Sequence, residues 1–156
     1  MKKQRGYTLI ETMVAMAIII TVSAAGLYGW QRFQAQQRLW QTAWQVRDYL
    51  TLLRDDANRL NRDHVITVGA QGERWCLLSS VNERAGCEVN NPFALRPPWP
   101  DVRLTDITPA LAFYGLRDTA WAGHITIASS AGEWQVIVSN WGRIRLCQRT
   151  AQTPCA

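Results

Sequence analysis

The sequence predicts an α+β fold: one long N-terminal α-helix, membrane-spanning in its first half, packs by its second half on antiparallel β-sheet. Three observations carry this. Thr12 to Gln31 holds no charged residue, enough chain for a helix of about 30 Å. Leu39, Ala43, Val46, Leu50, Leu53, Ala57 and Leu60 then recur at alternating steps of four and three, the spacing of one helix face. From His64 onward short alternating segments are separated by Gly, Asn and Pro, which favours strands joined by turns.

The elements follow in order. No breaker separates the apolar run from the striped segment, so one helix is expected from near Tyr7 to about Asn61, with Gly26 and Gly29 weakening its middle. Its stripe is read as a core face. His64 to Val68 and Arg74 to Leu78 flank a glycine-containing stretch, Gly69 to Glu73, and read as a hairpin. Asn90 to Pro100 contains four prolines and is expected to be an exposed loop, because proline cannot donate to a ladder or continue a helix. Further strands are expected at Val102 to Leu104, Leu111 to Tyr114, His124 to Ala128, Trp134 to Val138 and Arg143 to Cys147, with turns at Ala131-Gly132 and Asn140-Trp141-Gly142.

Charge at the N-terminus is the most informative feature. Lys2, Lys3 and Arg5 precede Gly6, and Glu11 stands near the start of the apolar run. A carboxylate at bilayer depth costs about 2.5 kcal/mol or more even on lenient scales, so it implies a partner. The neighbouring charges in sequence are Arg5 behind and Arg32 ahead; the counter-charge must come from outside the segment.

The string Lys2-Lys3-Gln4-Arg5-Gly6-Tyr7-Thr8-Leu9-Ile10-Glu11 resembles the N-terminus of the type IV prepilin superfamily, the subunits of pili and secretion pseudopili. The resemblance implies a type IV pilin-like fold and cleavage by a prepilin peptidase between Gly6 and Tyr7, with N-methylation of Tyr7. It also implies that Glu11 meets the terminal amine of a neighbouring subunit. An ammonium and a carboxylate that are each costly in an apolar medium neutralise one another there, which makes unpaired charge a selector of register. Two inner stretches, Leu53 to Val68 and Val136 to Cys147, resemble H-type pseudopilins and FimT/FimU-like minor pilins.

On this reading residues 1–6 are a leader, 7–30 a transmembrane and fibre-core helix, and 31–156 a periplasmic globular domain that includes the amphipathic helix half. The expected partners are prepilin peptidase, other minor and major pilins and the inner membrane, with no cofactor and no small-molecule substrate. Two plainer readings compete. Ser23-Ala24-Ala25 resembles a signal-peptidase site, which would release a periplasmic binding module, and an uncleaved anchor would be held by its basic N-terminus. Neither accounts for Gly6 or Glu11.

Four cysteines, Cys76, Cys87, Cys147 and Cys155, allow three pairings and suit an oxidising compartment. Proximity in sequence favours Cys76 with Cys87 and Cys147 with Cys155; none has CxxC spacing, which argues against zinc. The formal charge of +5 falls to +2 once Lys2, Lys3 and Arg5 leave with the leader, and every remaining basic side chain is arginine. Of eight tryptophans, Trp30 is placed at the membrane boundary and the others in core and subunit contacts.

No catalytic constellation is legible. His64 and His124 lie in or beside strand segments without an adjacent nucleophile pattern, and both are expected at surface or edge positions. No phosphate loop or metal motif is present in the sequence. Gly142-Arg143-Ile144-Arg145 places two guanidinium groups on one strand face, with Arg149 nearby. Such a fork suits phosphate, and some FimT-like pilins carry a similar element, which makes DNA a possible partner of Arg143, Arg145 and Arg149. The competing reading is a solvated face.

Overall fold

The computed structural model describes residues 8–88 and 90–149, and the chain divides into two units, Met1–Gln34 and Ala35–Ala156. One helix, α1 (Leu9–Leu60), contributes to both. In the first unit it is apolar over a membrane length, with mean hydropathy 2.0 in an 18-residue window and none of that window buried. Leu9, Ile10, Met13, Ile19, Ile20 and Val22 are all more than 60% exposed. A helix apolar on every side is stable in lipid or among other helices, not in water.

In the second unit the striped face forms the core. Leu39, Ala43, Val46, Leu50, Leu53 and Ala57 are at most 1% exposed, as the four-three spacing predicts. Leu60 departs from that expectation and is exposed, because the helix ends there: Asn61 turns left-handed at φ 50°, and the Arg62 amide donates to the Ala57 carbonyl at 3.3 Å. That six-to-one bond is the Schellman closure, with asparagine in the position glycine most often takes. Tyr49 joins the core, its hydroxyl donating to the Phe93 carbonyl at 2.8 Å, and burial pushes its phenol well above the usual range.

Among the described residues nine strands follow: β1 (His64–Gln71), β2 (Arg74–Ser79), β3 (Ala94–Leu95), β4 (Arg103–Ile107), β5 (Ala112–Tyr114), β6 (Thr119–Trp121), β7 (Gly123–Ser129), β8 (Gly132–Val138) and β9 (Ile144–Arg149). They form a five-stranded sheet, β3-β2-β1-β5-β6, and a four-stranded sheet, β4-β7-β8-β9. All pairings are antiparallel. The β1–β2 turn is two residues, Gly72 and Glu73, shorter than the expected loop, with Gly72 at φ +64°. Ile66, Leu77, Phe113, Ile125, Ile127, Val136 and Val138 fill the core beside the helix stripe.

The proline-rich segment is more structured than its composition implies. Leu95 pairs with Leu77 through β3. Asn91 is buried, receiving the Asn82 side-chain amide on its Oδ1 at 3.1 Å and donating to the Gly86 carbonyl at 2.9 Å. A buried asparagine that satisfies backbone and side-chain groups together replaces the regular ladder that proline forbids.

Cys76 and Cys87 form a disulfide with Cα atoms 6.1 Å apart. Cys147 lies on β9, while Cys155 falls outside the described residues. Gly69 sits against the Cys76–Cys87 bond, where a Cβ would lie 3.0 Å from each sulfur. The bond closes a loop across 11 residues, so reducing it should cost about 3 kcal/mol of stability on the chain-entropy scale. A chemical-denaturation curve of the Cys76→Ser, Cys87→Ser double variant, read against the unaltered protein, checks this; an unmoved midpoint would contradict it.

Candidate processing and assembly site

Glu11 falls in the first turn of α1 and is exposed. The turn begins at Thr8, whose carbonyl accepts from the Glu11 amide at 3.0 Å and the Thr12 amide at 3.3 Å. The Thr12 hydroxyl donates back to the Leu9 carbonyl at 2.8 Å. A carboxylate in the first turn meets the positive end of the helix dipole, and no ion pair reaches Glu11 among the described residues. Gly6 and Tyr7, the expected cleavage pair, lie outside those residues. Trp30, placed by sequence at the membrane boundary, is exposed, with its ring centroid 6.2 Å from that of Phe33.

The arginine fork is divided by its neighbours. Arg149 is ion-paired with Glu133 at 3.6 Å across the β8–β9 ladder. Arg143 and Arg145 are exposed, with no ion-pair partner among the described residues. Arg145 lies opposite Ile137, on the face of β8 turned away from buried Val136 and Val138. Next to it the β8–β9 turn holds Trp141 at 84% exposure.

The histidines are arranged in a way the sequence does not show. His64 is wholly buried rather than at an edge. Its Nδ1 lies 2.6 Å from the Ser79 hydroxyl and its Nε2 2.7 Å from Asp56. Asp56 in turn accepts from both Nε and Nη2 of Arg62, the latter at 2.8 Å. Asp56, His64 and Ser79 have the order of a hydrolase triad, but His64 and Ser79 are at most 1% exposed and no substrate can reach them. The network is a buried polar tie between the end of α1, β1 and β2, each member satisfied by the next. His124, by contrast, is partly exposed, with Nε2 2.8 Å from Asp106, though it lies on β7, an inner strand between β4 and β8, rather than at an edge. No periodic signal marks the first cluster, because Asp56 and His64 belong to different elements on either side of the helix end.

The Arg62 guanidinium holds the Asp56 carboxyl below the usual carboxylate range, with His64 adding to the effect and burial opposing it. Because the folded pKa is depressed, the associated stability is fully present above an unfolded value near 4 and is lost as pH falls through the lower folded value. Stability measured between pH 5 and pH 2 should therefore decline more steeply for the unaltered protein than for Asp56→Asn. Parallel curves would remove Asp56 from the acid response. At neutral pH, Asp56→Ala leaves a buried His64 nitrogen without its partner and should cost about 1–3 kcal/mol.

Comparison with known proteins bears on both units. Residues 1–27 match the family described as the prokaryotic N-terminal methylation motif. No curated protein matches the chain. Among solved structures the chain is similar to the minor pseudopilin EpsH from the type 2 secretion system of Vibrio cholerae. The identity is 15% and the TM-score 0.51, covering 71% of this chain and 97% of that one. The chain thus joins an N-terminal methylation motif to the pilin-like α+β fold of a pseudopilin, a long helix packed on antiparallel sheets.

Proposed function

We propose that this protein is a minor pilin or pseudopilin, inserted in the inner membrane and built into a type IV pilus or a type II secretion pseudopilus, where it helps to initiate or cap assembly. The observation that carries the reading is Glu11: a lone carboxylate in the first turn of a membrane-length apolar helix, within a matched methylation motif. Its counter-charge is the amine of Tyr7 on a neighbouring subunit, created when prepilin peptidase cuts after Gly6 and removes residues 1–6. Residues 7–30 then occupy the membrane and later the fibre core, and residues 31–156 fold in the periplasm with Cys147 joined to Cys155. The partners are the peptidase and other minor and major pilins. Within the superfamily the sequence most resembles the enterobacterial minor pilin called prepilin peptidase-dependent protein A.

The fold of EpsH supports an H-type, stacking subunit, and retention of Glu11 fits a subunit that receives another above it. Intact mass and N-terminal sequencing in strains with and without prepilin peptidase test the reading. The expected result is a chain beginning at Tyr7 with the peptidase and at Met1 without it. A chain beginning at Gly26 in both strains would instead mean a signal-peptidase cut and a released periplasmic module.

A further inference from the structure

A cavity of about 370 Å³ in the second unit takes no part in the chemistry of Glu11. Its walls are the indoles of Trp75 and Trp99, the rings of Pro97 and Pro100, and the side chains of Arg74 and Arg103. The walls are rigid. Proline fixes its own backbone, and Trp75, held on β2, donates from Nε1 to the Val102 carbonyl at 2.9 Å.

The cavity lies at the end of the unit where the chain enters from the apolar segment. Arg38 marks that end: its guanidinium stacks 4.9 Å from the centroid of the Trp99 ring, and its Nη1 lies 3.5 Å from Asp101. The β1–β2 turn comes to the same loop, with Gln71 accepting from Arg96 at 2.7 Å. Seven residues of chain lead from Gln31, the last of the uncharged run, to Arg38, a reach of no more than about 25 Å at any angle of the chain. Arg74 and Arg103 are exposed and have no ion-pair partner among the described residues. Glu73 is the carboxylate among the lining residues, so two cations against one anion leave the cavity with one positive charge. Asp101 does not cancel it, because Arg38 already takes that carboxylate.

We infer that this cavity receives the phosphodiester headgroup of an anionic phospholipid from the leaflet at which the apolar half of α1 ends. A phosphodiester carries one negative charge, which matches the one left over in the lining. Guanidinium groups bind phosphate oxygens through paired N–H donors. Indole and arginine are both favoured at a membrane surface. The anchor keeps headgroups at high effective concentration around the tethered unit, so an open site of low intrinsic affinity suffices. The globular unit rests on the leaflet before assembly and leaves it when the subunit enters the fibre. The inference rests on the inner-membrane reading above, which supplies the leaflet.

The test uses the full chain in nanodiscs of zwitterionic phosphatidylcholine containing a minor fraction of phosphatidylglycerol whose headgroup carries an aryl azide. Irradiation should attach this lipid to peptides holding Arg74 or Trp99 to Arg103, as read by mass spectrometry. Arg74→Gln with Arg103→Gln should lower the yield about tenfold or more, and high salt should lower it as well. Both arginines are exposed, and an unchanged thermal midpoint with an intact Cys76–Cys87 bond verifies that the variant has folded. Equal labelling by the same azide on a zwitterionic headgroup would reduce the contact to mere nearness and overturn the site. Loss of labelling in millimolar inorganic phosphate would assign the cavity to a free anion and overturn the lipid. Labelling confined to α1, in a chain that is held in the nanodisc, overturns the inference alone; a chain that fails to enter the nanodisc overturns the membrane reading first.

Discussion

Changing Gly6 to valine should leave the chain uncleaved yet still inserted, an all-or-none effect on mass with none on membrane partition. On the proposed reading, residues 1–6 and the apolar segment do separate jobs. Insertion follows from the uncharged stretch Thr12 to Gln31, which is untouched, and orientation from Lys2, Lys3 and Arg5. On the proposed reading, cleavage by prepilin peptidase requires the glycine at position 6, which the valine replaces. The intact mass should retain residues 1–6 in full, and a normal Tyr7 terminus in this variant would defeat the prepilin assignment. Glu11→Val separates the next step: it should be cleaved normally but enter the fibre poorly, since the incoming amine loses its counter-charge. Undiminished assembly of that variant would show that Glu11 has no pairing role.

Phe113→Ala should produce the largest loss of stability among single core changes. Phe113 is 1% exposed and lies on β5, between β1 and β6 and directly opposite His64. Truncation removes an aromatic ring from the place where the five-stranded sheet meets the helix core, and such cavities typically cost about 3–5 kcal/mol. In a domain of this size that corresponds to a fall of roughly 10–20 °C in Tm, readable by thermal unfolding of the full chain in detergent. Leu116→Ala is the control: three residues along, 84% exposed, it should change almost nothing. A similar Tm for both variants would mean that Phe113 is not part of the cooperative core.

Regular periodicity explains which parts of the fold are legible in the sequence. The helix stripe from Leu39 to Ala57 and the alternation of β7, β8 and β9 arise from repeated contact with one core, so spacing alone reveals them. Leu60 obeys the same spacing and is nevertheless exposed, because a helix end is decided by the local Asn61 turn and not by period. β6, of three residues, and β3, of two, are too short to show alternation. The buried Asp56–His64–Ser79 tie is hidden for a different reason: its members come from three elements whose approach depends on the finished fold. Glu11 is the opposite case, a single residue whose physical cost in an apolar run is visible without any structure.

The Cys76–Cys87 bond also imposes an order in time. Cys76 is wholly buried on the inner strand pair and the bond is packed against Gly69, so an oxidant reaches the thiol only before β1 and β2 have settled over the core. Thiols stay reduced on the cytoplasmic side of the membrane and oxidise beyond it. If residues 31–156 lie in the periplasm as proposed, pairing is an event of arrival, and a pulse of newly made chain treated with a thiol-blocking reagent should pass from modified to protected as it folds outside. Persistent labelling of Cys76 in the folded protein would contradict this order. On the proposed topology, with residues 31–156 in the periplasm, the closed bond would hinder the globular unit from being drawn back as an extended strand, and the disulfide would then act as a ratchet on the crossing.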